Sequence, residues 1–336
     1  MKLVQFSAAG CDRHAGIWDH DAVVDVNDLV ASIPVNAAYA QRYRQLGIAV
    51  REQGWMRWLQ AGPRGRADWA PVLMQALKEP GRKRVPLNSV RLHAPMDRPG
   101  KIIEIGRNYG DHAKETGVSP FEKPRIVFKM PSSLCDPESS VAIPHDIVKM
   151  DFEAELVVMI GDFVHKASEE DALKHVAGYA GLNDLSAREL QFDVQPAQTT
   201  FAKSMDGFCP LGPWLVTADE VPDPQNLDIQ CLVNGQVMQH ATTAMMIFSI
   251  PELIAYVSTY TILRPGDVIV TGTHAREPLV RYEWVKPGAH IAALGADLTV
   301  LEACGHVPYV ERREACIAAL RAYLRTVTRG PEPGAP

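Results

Sequence analysis

Residues 150–161 read Met150-Asp151-Phe152-Glu153-Ala154-Glu155-Leu156-Val157-Val158-Met159-Ile160-Gly161. The apolar, partly β-branched run closed by a glycine has the composition of a strand. Side chains alternate along a strand, so Asp151, Glu153 and Glu155 share one face, and Phe152, Ala154, Leu156 and Val158 share the other. Val157 and Met159 continue the carboxylate face as apolar positions. The strand therefore runs into the interior, and its acids stand at the boundary of a core. Adjacent carboxylates repel, and burying them without compensation is costly. Two readings meet this pattern: an exposed edge with three solvated acids, or a divalent cation among them. Carboxylate oxygens are hard ligands suited to Mg²⁺, Mn²⁺ or Ca²⁺.

A second segment, residues 178–191, sets Asn183, Asp184, Ser186, Arg188, Glu189 and Gln191 around an apolar turn. Asp184 could complete a three-carboxylate site. Arg188 and Gln191 are spaced i, i+3, so on a helical turn they face the same way and could clamp a substrate carboxylate or carbonyl. The plain alternative is a capped helix start with a surface arginine.

Further out, strands are expected over residues 2–6, 22–26, 101–105, 125–129, 152–160, 212–216, 227–233 and 267–271. Helices are expected near 37–46, 69–78 and 310–326, with a linker over 79–86. Ser168 to Asp171 has the form of a helix start, with Gly178 near its end. Ser249-Ile250-Pro251-Glu252 reads as a capping box opening a helix through residue 263. Asn234-Gly235 between apolar runs signals a hairpin. Strands outnumber helices without regular alternation, which disfavours a Rossmann or TIM layout. No GxGxxG after a strand, Walker loop, HExxH or GxSxG is present.

The chain has 336 residues, 46% of them hydrophobic, and a formal charge of −6, values ordinary for a soluble globular protein with ample core. The mild negative charge argues against nucleic acid as a partner. No apolar run reaches the about 18 residues of a membrane span, and the N-terminus lacks the apolar stretch of a secretory signal. The six cysteines form no CxxC pair, so free thiols in a reducing cytoplasm are expected rather than zinc or redox chemistry.

Six segments, in order, resemble the fumarylacetoacetate hydrolase family. Gly106-Arg107-Asn108-Tyr109-Gly110-Asp111-His112-Ala113-Lys114-Glu115 is similar to its G-x-N-Y-x-x-H-x-x-E opening, and Lys129-Met130-Pro131-Ser132-Ser133 to its K-x-P-S-S segment. Asp151 to Leu156 resembles D-x-E-x-E-L, and Asn183 to Arg188 resembles (N/Q)-D-x-S-x-R. Lys203 to Pro213 is similar to K-x-x-D-x-F-x-P-x-G-P, and Pro265 to Thr273 to P-G-D-x-I-x-T-G-T. The resemblance implies a strand-rich α+β fold: a mixed β-sandwich roll over residues 91–326, a smaller N-terminal α/β domain over 1–90, and usually a homodimer. Residues 327–336 are expected to be a disordered tail. It implies Glu153, Glu155 and Asp184 as metal ligands, Lys203 as the active-site lysine, and Arg188, Gln191 and Thr273 as substrate contacts. The cofactor implied is Mg²⁺ or Mn²⁺, with Ca²⁺ also suited.

His112 and Glu115 are spaced i, i+3 on a short turn stopped by Gly117; an imidazole oriented by a carboxylate is a sound general base near neutral pH. In hydrolytic relatives a similar pair sits on a lid over the site. The activity implied is cleavage of a C–C bond in a 3-acylpyruvate or related oxo acid. The alternatives are isomerisation, tautomerisation or decarboxylation of a 2-oxo (di)carboxylic acid. A departure matters: the family's Gly-rich turn after T-G-T is replaced by His274-Ala275-Arg276-Glu277-Pro278-Leu279. This change could alter the substrate, with Arg276 or His274 meeting a second carboxylate, could be only structural, or could leave a catalytically impaired protein that only binds metal and oxo acid.

Overall fold

The computed structural model describes residues 1–9, 11–110, 121–233, 236–273, 290–294 and 297–301. His112, Glu115, the 274–279 loop, the C-terminal helix expected at 310–326 and the tail at 327–336 lie outside these residues. The fold is strand-rich α+β. An 11-stranded mixed sheet runs in the order Arg84–Pro86, Ala22–Asp25, Cys11–Asp19, Lys2–Ala8, Leu215–Thr217, Val176–Asn183, Ala154–Ile160, Val268–Val270, Ile102–Gly106 and Arg125–Lys129. Arg91–His93 pairs with Lys2–Ala8 off this path. Its neighbours are antiparallel except Val268–Val270 and Ile102–Gly106, which run parallel. A second sheet has five strands: Gln236–Thr242, Asp228–Val233, Asp297–Leu301, His290–Leu294 and Ser140–Val141. Among the described residues neither sheet closes into a barrel, and no helix is long and apolar enough to cross a membrane.

The Ala154–Ile160 strand is buried on both faces. Leu156, Val158 and Ile160, with Phe152 and Ala154, pack toward Ile229 and Cys231 of the second sheet and toward the Ile250–Tyr260 helix. That helix begins with the expected capping box: Ser249 N donates to Glu252 Oε2 at 2.7 Å, and Glu252 N to Ser249 Oγ at 3.4 Å. It buries Ile250, Leu253, Ile254 and Val257, each contributing about 1.5–3 kcal/mol. Val157 and Met159, on the carboxylate side, pack instead against Trp55, Trp58, Leu59 and Leu73 of the N-terminal helices. Residues 1–90, which carry no recognisable chemistry in sequence, thus form the apolar backing of the acid-bearing strand.

Three local expectations need correction. The 79–86 linker ends in a strand, because Arg84–Pro86 pairs with Ala22–Asp25 at the sheet edge, where a proline is tolerated. Gly178 does not end a helix. The helix stops after Glu169–Ala172 and a tight turn at Leu173–His175. Gly178 lies inside the Val176–Asn183 strand, where a Cβ would overlap the Val216 carbonyl of the next strand. The acid-bearing strand is also not continuous: Met150–Asp151 and Ala154–Ile160 are separate. Side chains take the backbone donors at the break, Phe152 N giving to Asp151 Oδ1 at 3.0 Å and Ala154 N to Gln239 Oε1 at 2.8 Å. These bonds compete with ladder pairing.

Candidate metal and oxo-acid site

The acids converge where several strand ends meet. Glu104 comes from the Ile102–Gly106 strand, Glu155 from Ala154–Ile160, and Glu153 from the break before it. Asp184 follows the end of Val176–Asn183, its N–H donating to the Glu153 carbonyl at 2.8 Å. Lys203 closes the short Thr199–Ala202 helix. All five side chains are buried.

Lys203 Nζ lies 2.8 Å from Glu104 Oε1 and 2.7 Å from Glu153 Oε2, and also pairs with Asp184 Oδ2. Oxygens of Glu104, Glu153 and Asp184 fall within 4.8 Å of one another. The ammonium therefore sits among these three acids. Lys129, itself buried, pairs with Asp184 Oδ1 at 2.6 Å and also donates to the Lys203 carbonyl. Arg188 reaches Asp151 through Nε at 2.8 Å, Glu153 through Nη2 at 2.6 Å, and Gln191 Oε1 through Nη1 at 2.6 Å. The i, i+3 pair does meet, as the spacing predicts, but here Arg188 turns to the carboxylates and Gln191 Oε1 accepts from its guanidinium.

Glu155 has separate partners. Gly272 N donates to its Oε2 at 2.8 Å, and Thr271 Oγ1 to the same oxygen at 3.3 Å. Thr273 Oγ1 lies 2.6 Å from both Glu155 Oε1 and the Ala154 carbonyl, its single hydrogen serving one at a time, and accepts from Gln239 Nε2 at 2.8 Å. The structure thus joins Glu153, Asp184, Lys203, Arg188 and Gln191 in one network and sets Thr273 on Glu155.

Electrostatics shows what the cluster needs. Glu104, Asp151, Glu153, Glu155 and Asp184 are each at most 3% exposed, against the buried cations Lys129, Arg188 and Lys203. When all are ionised, negative charge exceeds positive by two among these described residues. Burial and the Asp184 carboxylate push Glu104 up to about 8, and burial with the Glu153 charge pushes Glu155 well above the carboxylate range. Burial also works against charge on Asp184, but Lys129 and Lys203 outweigh it and hold Asp184 low. Burial opposes Lys203's charge in the same way, and Asp184, Glu104 and Glu153 hold it well above the usual lysine value. Glu104 Oε2 is buried with no hydrogen-bond donor. Oxygen-only donors, two carboxyl groups that burial and like charge hold protonated in the absence of a cation, and an orphaned carboxylate oxygen fit a hard divalent cation, which binds as those protons leave.

Sequence reasoning passed over Glu104 and Gln239, and quoted Lys129 in a motif without giving it a role. The signal for Glu104 was a lone charge in an apolar strand. For Gln239 it was reversed alternation: Gln239 is buried while Val237 is exposed.

The profile of the fumarylacetoacetate (FAA) hydrolase C-terminal domain matches residues 101–304. The chain belongs to the fumarylacetoacetate hydrolase family. It is 37% identical over 276 residues to the mitochondrial oxaloacetate tautomerase FAHD2A of Bos taurus, covering 81% of each chain. A putative hydrolase of Burkholderia ambifaria is 46% identical over 273 residues, covering 81% of this chain and 86% of the relative. Among solved members, maleylpyruvate hydrolase from Sphingobium sp. SYK-6, in complex with manganese(II) ion and pyruvate, superposes with a TM-score of 0.64 at 30% identity, covering 82% of this chain and 89% of that one. The 2-hydroxyhepta-2,4-diene-1,7-dioate isomerase of Mycobacterium marinum gives a TM-score of 0.57 at 27% identity, covering 82% and 88%.

Proposed function

We propose that this family member is a divalent-metal-dependent enzyme of 2-oxo acids that hydrolyses a C–C bond in a 3-acylpyruvate or related compound. The observation supporting it most directly is the buried carboxylate cluster, in which oxygens of Glu104, Glu153 and Asp184 lie within 4.8 Å of one another. Glu153, Glu155 and Asp184, the acids in the family-like D-x-E-x-E-L and N-D-x-S-x-R segments, would hold Mg²⁺ or Mn²⁺, the cation competing with Lys203 for oxygens of Glu153 and Asp184. A cation bound there supplies Lewis-acid polarisation of a 2-oxo acid's carboxylate and keto oxygens.

The chain's own residues do the rest. Lys203 places a positive charge where an enolate leaving group would develop negative charge. Arg188 fixes Glu153 through Nη2, and Gln191 steadies the guanidinium. The Thr271–Thr273 donors orient Glu155, and Thr273 is proposed to contact substrate as well. His112, oriented by Glu115, would take a proton from water at an imidazole nitrogen, the step that separates hydrolysis from tautomerisation. Tautomerisation of an oxaloacetate-like acid is the second reading, favoured by the 37% identity to the bovine tautomerase. We also propose a homodimer, supported by exposed Phe128 on the Arg125–Lys129 edge strand, Met130 just after it, and Phe201 on the short helix packed against it.

The test incubates protein and Mn²⁺ with acetylpyruvate, fumarylpyruvate or oxaloacetate, following enol absorbance and pyruvate. Pyruvate release from an acylpyruvate, abolished in His112→Ala, is the expected result. Enol–keto exchange without pyruvate release would replace the hydrolase reading with the tautomerase one.

A further inference from the structure

We propose that Glu104 is a positioning residue for Lys203: the carboxylate that keeps the ammonium on the site while Glu153 and Asp184 turn to the cation. The inference rests on the metal-centre reading above. It starts from an anomaly of sequence. Ile102-Ile103-Glu104-Ile105 places an acid at the centre of a strand whose other side chains are buried and apolar. The backbone there is held on both sides, Glu104 opposing Val270 in parallel register and Val127 in antiparallel register, so the side chain's origin is fixed. A carboxyl group in such a place either takes a proton or keeps its charge against a cation, and the cation in contact with it is Lys203 Nζ at 2.8 Å, beside the Asp184 carboxylate.

The three acids around that ammonium are not equivalent. Glu153 spends Oε1 on Arg188 and Asp184 spends Oδ1 on Lys129, and each gives its other oxygen to Lys203. Those two second oxygens are the ones a divalent cation would compete for. Glu104 stands apart. It lies outside the D-x-E-x-E-L and N-D-x-S-x-R segments, one oxygen faces Lys203, and the other has no donor. Two cations at close range repel strongly in a poorly solvated site. With Glu153 and Asp184 shared, Glu104 is the acid left to hold Nζ in place, facing the substrate.

The test reads binding rather than turnover. Mn²⁺ is titrated calorimetrically into wild type, Glu104→Gln, Lys203→Met and the double variant. Oxalate, a planar dianion resembling an enolised 2-oxo acid, is then titrated into each Mn²⁺-loaded protein. Circular dichroism checks the fold, and the double variant, which removes both charges together, covers a folding failure of either single one. Glu104→Gln is expected to bind Mn²⁺ within about threefold of wild type and oxalate about tenfold more weakly. In the Lys203→Met background, adding Glu104→Gln should change oxalate affinity no further. A loss of Mn²⁺ affinity of about tenfold or more in Glu104→Gln would make Glu104 a ligand and overturn the proposal. Equal oxalate losses in both backgrounds, or no loss in either, would also overturn it. Wild type failing to bind Mn²⁺ would instead remove the metal reading on which it rests.

Discussion

Lys129→Met removes one cation from beneath the carboxylate cluster while nearly preserving side-chain volume. Lys129 is fully buried, its Nζ 2.6 Å from Asp184 Oδ1 and also bonded to the Lys203 carbonyl. Breaking a buried pair from one side leaves the other charge in a poorly solvating interior, at a cost of about 3–5 kcal/mol. With an m-value of about 3 kcal/mol/M in urea, the unfolding midpoint should fall by about 1–1.7 M, m itself unchanged. The effect should depend on pH with a definite sign. Burial tends to raise Asp184, but Lys129 and then Lys203 outweigh it, so the carboxyl titrates below its ordinary value. A depressed carboxyl contributes stability above its unfolded pKa and loses it as pH falls through the folded one. The gap between wild type and Lys129→Met should therefore be widest near neutral pH and narrow below about pH 4. The assay is urea unfolding of metal-free protein in EDTA at both pH values, followed by tryptophan fluorescence. Lys149→Met, which removes only an exposed pair with Asp193, is the control and should leave the midpoint in place. A Lys129→Met shift below about 0.3 M at neutral pH, or one equal at both pH values, would refute the reasoning.

Gly272→Ala should destabilise the protein by about 2–5 kcal/mol and weaken Mn²⁺ binding. Its φ of 80° disfavours a side chain, and a Cβ would overlap the Ile105 carbonyl. Since Gly272 N holds Glu155 Oε2, calorimetry should report both losses; a wild-type midpoint would contradict this. Asp136 ties strands of the N-terminal half together, accepting from Ala94 N at 3.1 Å and lying 2.8 Å from His93 Nδ1, while His93 Nε2 lies 2.9 Å from Ser7 Oγ. Burial raises Asp136, but these contacts more than compensate and hold it below the usual range. Asp136→Asn should thus cost about 1–3 kcal/mol near neutral pH, with the difference beginning to shrink below about pH 4, as thermal unfolding across pH would show.

Much of the site could be read locally. Asp151, Glu153 and Glu155 stand out because alternation in a strand is a near-neighbour property, and the apolar continuation through Val157 and Met159 correctly placed them at a core boundary. Asp184, Arg188, Gln191, Lys203 and Thr273 are marked out because each sits in or beside a short segment that resembles a family motif, and the structure brings Asp184, Arg188, Gln191 and Lys203 into one network. Locality also misled. Composition cannot show that Gly178 lies in a strand, since what demands a glycine there is the Val216 carbonyl of another strand. Nor can it show that the acid-bearing strand breaks, since Gln239, which takes Ala154 N, comes from a distant hairpin.

By itself, then, the sequence determined the family and the strand-rich class, because these are written in the order of its motifs, in spacing and in residue type. Only the tertiary structure decided how the charges are apportioned. It brings Glu104 from one strand and Lys129 from its neighbour to a cluster whose other members lie up to a hundred residues on, and it makes the N-terminal tryptophans the backing of the acid-bearing strand. The physical reason is that electrostatic compensation depends on distance through the folded interior, where solvent screening is weak, whereas periodicity along the chain reports only which face a residue occupies.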